Sequence, residues 1–267
     1  MYKRQVYDYL DGAYDEALVD PIVARLRAAG VELRVGCGVP RIGAGLEIDG
    51  VRYDHVVLAA DAAASARILA ASPALVSHPS IAAALPSMRA GQRYAVMRVW
   101  LERELGAALP PFVITERALL LDAISFADRT DPRATAWARE HRGTVLELHC
   151  YAVPEEVPDA EVEAQLWREL ETFLPDIAGV VVAHRHLQLR ADFTALHLGM
   201  RRARPGVDSG VAGLYFAGDW VKLPCPAMLM EAAHTSALFA VDRICAAEGV
   251  AGFPVTSVPL RGVLVGA

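Results

Sequence analysis

The order of hydrophobic and polar positions along the 267-residue chain predicts both strands and helices. Two apolar runs, Val56 to Ala60 and Gly213 to Ala217, have the length of buried strands. Apolar residues recur at helical spacing from Asp159 to Leu174 and from Met228 to about Ala247, and Pro175 should end the first of these helices. Strands and helices interleaved in this way indicate a combination of α/β and α+β architecture.

The segment up to residue 42 predicts a helix followed by two short strands. Asp20-Pro21 combines an N-cap residue with a proline that favours the first helical turn. Gly30 is expected to end this helix, because glycine readily adopts the left-handed conformation found after a helix C-terminus. Strands are expected at 31–35 and 39–42, where valines and an isoleucine recur.

A tight hairpin and a buried strand are expected next along the chain. The hairpin should turn at Asp49-Gly50, a dipeptide that favours a two-residue turn. The buried strand ends at Asp61, where an alanine-rich helix is expected to begin. Further strands are predicted at 94–101, 145–151 and 180–189.

Composition narrows the class of protein. Hydrophobic residues make up 54% of the chain, above the usual share for a soluble domain, so either the core is extensive or the surface is apolar. No apolar run reaches the roughly 18 residues that indicate a membrane-spanning helix. Met1 to Val6 has no apolar segment behind its basic residues, so we expect no signal peptide and a cytoplasmic protein, with peripheral membrane contact left open.

Charge and cysteine content argue against several functions. A net charge of −6 does not favour a general nucleic-acid-binding protein, because such proteins are more often basic. The cysteines lie far apart and form no C-x-x-C pair, which indicates reduced thiols and not a disulfide scaffold or a zinc site. His184 and His186 share one face of a predicted strand, but without a third ligand we expect a polar strand face and no metal.

The segment from Gly213 to Ala237 has the most specific pattern in the chain. A buried strand leads into Gly218, which permits a tight turn, and Asp219 then lies at the carboxyl end of the strand, where α/β sheets bind ligands. The helix that follows begins near Met228, and its N-terminus presents N–H groups that favour negative charge. An ordinary strand, turn and capped helix is the alternative interpretation of these residues.

The sequence L-Y-F-A-G-D, a loop and then M-E-A-A-H-T-S-A resembles the C-terminal FAD motif of flavin amine oxidases, protoporphyrinogen oxidases and carotenoid desaturases. The resemblance implies that Asp219, after Gly218, binds a ribityl hydroxyl of FAD. It also implies that Met230, Glu231 and Ala232, at the helix start, bind the flavin pyrimidine edge, where a reduced flavin develops negative charge. The sequence of the loop is most similar to that of bacterial carotenoid desaturases that act on ring ends.

The segment 14–60 resembles the same superfamily. A helix from Pro21 to Gly30 precedes Val39-Pro-Arg-Ile42, which is similar to a V-x-x-I signature whose valine contacts adenine through its backbone. The resemblance therefore implies that Val39 is a cofactor residue. The strand D-H-V-V-L-A-A is similar to a family strand that ends near the cofactor, which implies the same position for Ala59 and Ala60.

One part of the family pattern is absent. The fingerprint G-x-G-x-x-G, which binds the pyrophosphate of a dinucleotide, does not occur in the chain. The nearest candidate runs from Gly36 to Arg41, where Arg41 replaces the third glycine and Pro40 is unsuited to the helix that should follow. We therefore expect a partial FAD-binding domain that lacks the N-terminal Rossmann βαβ unit, with about the N-terminal half of a family member absent.

The blocks predict a domain organisation around an inserted domain. We expect the first part of the FAD-binding domain at 14–60 and a mixed-sheet substrate-binding domain at 61–205. The C-terminal strand and helix of the FAD-binding domain are expected at 206–248, and an extended tail at 249–267.

The resemblance implies an FAD-dependent oxidoreductase. Its complete form is expected to desaturate a small apolar isoprenoid such as a carotenoid by hydride transfer to the flavin, and this chain alone is expected to be inactive. The flavin supplies most of the chemistry in such enzymes, so no catalytic residue is predicted. Two alternatives remain open: an amine oxidase of the same fold, and a non-catalytic remnant domain that no longer binds FAD.

Overall fold

The computed structural model of the protein describes residues 10, 12–106 and 108–257, which form two compact units. The first unit comprises the described residues up to Gly36 and Gln92–Arg190, and the second comprises Cys37–Gly91 and the described residues from Ala191 onward. These divisions differ from the predicted block boundaries after residues 60 and 205. The assignment of the blocks to FAD-binding and substrate-binding domains stays a prediction.

The elements alternate along the chain as a mixed α/β fold. The strands are β1 (Glu47–Ile48), β2 (Val51–Arg52), β3 (Val56–Leu58), β4 (Tyr94–Leu101), β5 (Phe112–Ile114), β6 (Ala123–Phe126), β7 (Thr144–Cys150), β8 (Val182–Arg190) and β9 (Leu214–Phe216). The α-helices are α1 (Asp20–Ala28), α2 (Ala62–Ala70), α3 (Pro73–Val76), α4 (Pro79–Ala84), α5 (Pro132–His141), α6 (Asp159–Phe173), α7 (Met200–Ala203) and α8 (Leu229–Ala247). A π-helical turn spans Asp15–Val19, and 3₁₀ turns span Leu85–Ser87, Ala127–Arg129 and Pro175–Ile177.

The first unit contains a five-stranded sheet in the order β5-β6-β7-β4-β8. Every described ladder of this sheet is antiparallel, so the mixed sheet expected for this region is wrong in that respect. The reason lies partly in the connection between β5 and β6, which is too short for the crossover that parallel strands require.

One face of this sheet packs against α6. Alternate residues of β4 and one side of α6 supply core side chains that have no exposed surface: Ala95, Met97, Val99, Leu101, Val162, Leu166 and Leu170. The period of two on the strand and of three to four on the helix places these residues on facing surfaces. Full burial of each leucine contributes about 1.5–3 kcal/mol, so this packing stabilises the first unit.

The second unit contains a parallel pair of strands, β3 and β9. The register aligns Val56 with Leu214 and Leu58 with Phe216. The pair packs against α2 and α4 in a core that includes Leu69, Ile81, Phe216 and Trp220. Both strands were expected from their apolar runs, and both are confirmed with slightly shorter bounds.

Several predicted turns and helix ends are confirmed. Asp49 and Gly50 have φ values of 52° and 80° between the antiparallel strands β1 and β2, as a two-residue hairpin turn requires. Gly30 has φ 82° after α1. Asp61 precedes α2, and its side chain accepts a hydrogen bond from the N–H of Ala64 at 2.8 Å, so the helix begins where it was expected.

The two strands predicted at 31–35 and 39–42 are wrong. Neither segment forms a strand, and Val35 is 88% exposed. The N–H of Val31 donates to the carbonyl of Leu26 at 3.0 Å and so closes the end of α1 instead of joining a ladder. The valines alone do not make a strand here, because β-propensity depends on the packing that surrounds a segment.

The predicted N-cap role of Asp20 is wrong, although α1 begins at this residue. The π-helical turn Asp15–Val19 leads directly into α1, and Val19 already has helical dihedral angles. Asp20 therefore lies inside the helical segment and not at an N-cap, which needs a non-helical backbone.

Two further findings concern the ends of the chain and its helices. Residues 249–257 contain no helix or strand, whereas 258–267 of the predicted tail and the segment Met1 to Val6 lie outside the described residues. Among the described helices, none combines the length and the apolar character needed to cross a bilayer.

Candidate functional site

The carboxyl ends of β3 and β9 meet at one edge of the second unit, because the two strands are parallel. Ala59 and Ala60 follow β3, while Gly218 and Asp219 follow β9. The indole Nε1 of Trp220 donates to the carbonyl of Ala60 at 2.9 Å and so links the segments that follow the two strands. The structure therefore brings four of the predicted cofactor residues to one place, which we call the carboxyl edge.

Gly218 makes a turn that a side chain would obstruct. Its φ is 145°, and a Cβ at this position would lie 2.4 Å from Nε1 of Trp220, whose side chain is 1% exposed. The N–H of Gly218 donates to Oγ of Ser236 on α8 at 2.8 Å. The turn is thus fixed on one side by a buried indole and on the other by a helix.

The carboxylate of Asp219 is held by a side chain from a distant part of the chain. Oγ1 of Thr194, which is buried, donates to Oδ1 of Asp219 at 2.6 Å. Among the hydrogen bonds of the described residues, none reaches Oδ2, and the Asp219 residue is only partly buried. One carboxylate oxygen is therefore positioned by the protein and the other can accept a hydrogen bond from a ligand.

Arg204 contributes a second polar group beside Asp219. Its Nη1 donates to the backbone carbonyl of Asp219 at 3.1 Å, whereas its Nε and Nη2 are buried and have no hydrogen-bond partner among the described residues. Burial lowers the pKa of Arg204, and the nearby Asp219 opposes that shift. Buried donors without partners are costly, so this pair of N–H groups indicates a missing acceptor.

The start of α8 carries the other predicted cofactor residues. Met228 at the N-cap has an extended backbone and offers no side-chain hydrogen bond to the first turn. Met230 and Glu231 are exposed, whereas the side chain of Ala232 is buried beside Leu223. A ligand at this position would meet the exposed first turn, while Ala232 could take part only through its backbone.

Val39 lies elsewhere in the second unit. It is partly buried in an irregular segment that is anchored at Ile42, whose N–H donates to Oγ of Ser72 at 2.8 Å. No hydrogen bond of the described residues joins Val39 to the carboxyl edge. Its role as an adenine contact stays a prediction.

Comparison with known proteins identifies the family. The family model for flavin-containing amine oxidoreductases matches residues 12–245. The chain belongs to this family.

Two curated relatives of the chain are carotenoid phi-ring synthases. The protein from Streptomyces griseus is 32% identical over 265 residues, which is 96% of this chain and 51% of the relative. The protein from Chlorobaculum tepidum is 36% identical over 172 residues, which is 64% of this chain and 27% of the relative. The chain thus spans about half the length of the first relative and less of the second.

Solved structures show the same fold. An oxidoreductase from Methanosarcina mazei is 20% identical with a TM-score of 0.57, covering 85% of this chain and 54% of its own. Reduced UDP-galactopyranose mutase is 10% identical with a TM-score of 0.62, covering 88% of this chain and 50% of its own. These structures support a mixed α/β fold, while the family model and the curated relatives confirm the expected superfamily.

The family implies a flavin cofactor, and the residues at the carboxyl edge fit one. Oδ2 of Asp219 can accept from a hydroxyl, and the unpaired Nε and Nη2 of Arg204 can donate to an acceptor. The first turn of α8 favours negative charge through its dipole. A group that carries hydroxyls and develops negative charge would satisfy all three features.

Sequence reasoning missed two residues that support this edge. Thr194 and Arg204 precede Asp219 by 25 and 15 residues, and tertiary folding brings them to it. Ser236 does lie inside the motif that resembles the family, so its contact with Gly218 could have been found from the pattern. Nothing in the spacing of Thr194 or Arg204 gives such a signal.

Proposed function

We propose that the complete protein is an FAD-dependent oxidoreductase that oxidises the ring end of an apolar isoprenoid such as a carotenoid. The observation that carries the proposal is the carboxyl edge, where Thr194 fixes one oxygen of Asp219 and leaves the other open. Two relatives named carotenoid phi-ring synthases support the substrate class. Desaturation is the form of oxidation that we expect.

Each predicted residue has a defined role in this proposal. Asp219 accepts a hydrogen bond from a ribityl hydroxyl, and Gly218 permits the turn against Trp220 that places this carboxylate. Met230, Glu231 and Ala232 present the backbone of the α8 start to the pyrimidine edge of the flavin. When bound, the flavin would accept the hydride that leaves the substrate.

Three further residues complete the proposed FAD site. Ala59 and Ala60 lie next to the cofactor at the end of β3, and Val39 contacts adenine through its backbone. Ala59 is exposed and Ala60 partly so, which leaves room for a ligand beside them.

The domain organisation belongs to the same proposal. Residues 14–60 and 206–248 form part of an FAD-binding domain, and 61–205 form the inserted substrate-binding domain. The chain contains no G-x-G-x-x-G turn, so we expect the isolated chain to bind FAD weakly and to be inactive. A cytoplasmic location with peripheral membrane contact, where an apolar substrate would be met, is also proposed.

The test is anaerobic reduction of the flavin in the full-length protein. We expect purification with bound FAD, and loss of the oxidised-flavin absorbance after addition of a carotenoid with cyclic ends. Reduction by amines alone, followed by peroxide release in air, would favour the amine oxidase instead. Purification without flavin, and no binding of added FAD, would overturn the proposal in favour of a non-catalytic remnant.

A further inference from the structure

The sheet of the first unit has a second face, opposite α6, and this face carries a cavity of about 770 Å³. The cavity lies over β5, β6 and β7. Cross-strand pairs place its lining residues on one face: Phe112 with Ser125, Ile114 with Ala123, Ala123 with His149, and Ser125 with Glu147. The volume is within the range of about 300–1,000 Å³ that is typical of small-molecule sites.

Three rings form a platform in this cavity. The ring centroids of Phe112 and His149 are 6.5 Å apart, and those of His149 and Tyr151 are 5.9 Å apart. The apolar side chain of Ile114 lies on the same face and is 65% exposed. An array of rings with exposed apolar surface is suited to a flat or cyclic hydrocarbon, which can contact several of them at once.

Two of the three carboxylates that line the cavity have cationic partners, and the third, Glu116, is exposed to solvent. Glu147 accepts from Nη2 of Arg98 at 2.7 Å and from its Nε at 2.9 Å. Asp122 pairs with Nη1 of Arg117 at 3.1 Å. Burial lowers the pKa of His149, which favours the neutral imidazole, and the nearby Glu147 opposes this shift. At Glu147 and Asp122 a ligand therefore meets charges that are already paired, which does not favour a cation such as an amine.

We propose that this cavity binds the cyclic end group of a neutral isoprenoid, with Phe112, His149 and Tyr151 as its platform and Ile114 as an apolar wall. The choice of ligand class rests on the proposed function. The site itself rests on the cross-strand register, the rings and the paired carboxylates of the first unit.

The test is equilibrium dialysis of the 267-residue chain against β-ionone, a neutral ketone with a cyclic isoprenoid end. We expect saturable binding, and binding at least about tenfold weaker for open-chain geranylacetone, which cannot present a ring to the platform. Equal affinity for the two ketones would overturn the proposal that the cavity binds a cyclic end group. Tighter binding of the amine made from β-ionone would overturn the proposal that the ligand is neutral.

Substitution of Ile114 locates the site. Ile114→Asp places a charge on the apolar wall and should weaken β-ionone binding by about tenfold or more, because the ligand would then desolvate a carboxylate. The matched control is Val181→Asp, since Val181 is 60% exposed in the same unit and does not line the cavity. Equal binding by both variants and the wild-type chain would overturn the proposal.

A second variant tests the site independently in case Ile114→Asp misfolds. Tyr151→Ser removes one ring from the platform, while the backbone N–H of Tyr151 keeps its bond to Asp122. We expect weaker binding with an unchanged circular dichroism spectrum, and full binding would contradict the assignment. Failure of these variants to affect binding leaves the flavin test untouched, and absence of flavin from the full-length protein leaves the dialysis result standing, so the two proposals fail separately.

Discussion

The carboxyl edge of the second unit and the ring platform of the first unit are built in different ways. At the carboxyl edge, a contiguous segment from Leu214 to Asp219 supplies a strand, a turn and a carboxylate in sequence order. The ring platform instead depends on which residues of three strands lie opposite one another. The first kind of site can be recognised from a motif, whereas the second exists only once the register is fixed.

The largest effect should come from Gly218→Ala, which breaks the turn at the carboxyl edge. The new Cβ would lie 2.4 Å from Nε1 of Trp220, and that indole is too deeply buried to move aside. We expect a loss of about 2–5 kcal/mol in the free energy of unfolding, measured by denaturant titration, from overpacking and backbone strain.

Gly50→Ala is the matched control, because Gly50 also has a positive φ but open space around its Cβ position. Its cost should be limited to about 1–2 kcal/mol of backbone strain. Equal losses for the two variants would mean that contact with Trp220 does not determine the requirement for glycine at 218.

The same comparison explains how far the sequence predicts this molecule. The hairpin turn at Asp49-Gly50 and the edge at Asp219 were predictable, because the residues that determine them are adjacent in sequence. The strands expected at 31–35 and 39–42 do not form, since a strand depends on a partner that its own sequence does not reveal. Thr194 and Arg204 were missed for the same reason, because only folding places them beside Asp219.

A smaller effect on stability is expected from Arg204→Met, which should weaken flavin binding without destabilising the fold. The flavin-free protein should change by less than about 1 kcal/mol in its free energy of unfolding, because loss of the Nη1 bond to the Asp219 carbonyl is offset by removal of two buried donors that lack partners. Flavin retention by the full-length protein should fall about tenfold, since a charged donor to the cofactor is lost.

Arg202→Met serves as the control, because Arg202 is exposed on α7, the short helix that ends just before Arg204. Flavin content after dialysis gives the retention, and denaturant titration of the flavin-free form gives the stability. A large loss of stability with normal flavin content would show that Arg204 is a structural residue only.

The smallest effect concerns pH and the ring platform. The pKa of His149 is lower in the folded protein than in the unfolded chain. The unfolded chain therefore binds a proton more readily, and stability is lost as the pH falls from the unfolded pKa through the folded pKa. We therefore expect the free energy of unfolding to decrease on acidification below about pH 6.5. His149→Gln should reduce this slope, and a slope unchanged from wild type would assign the effect to other groups.

The most direct test of the account is the FAD affinity of the full-length protein with Asp219→Asn. The amide oxygen can still accept from Thr194, but the second acceptor for a ribityl hydroxyl is replaced by a donor. Asp208→Asn is the control, because Asp208 is an exposed aspartate of the same unit that pairs with Arg243. The account predicts an FAD dissociation constant raised about tenfold or more for Asp219→Asn and unchanged for Asp208→Asn. Equal FAD affinity in both variants and the wild type would contradict it.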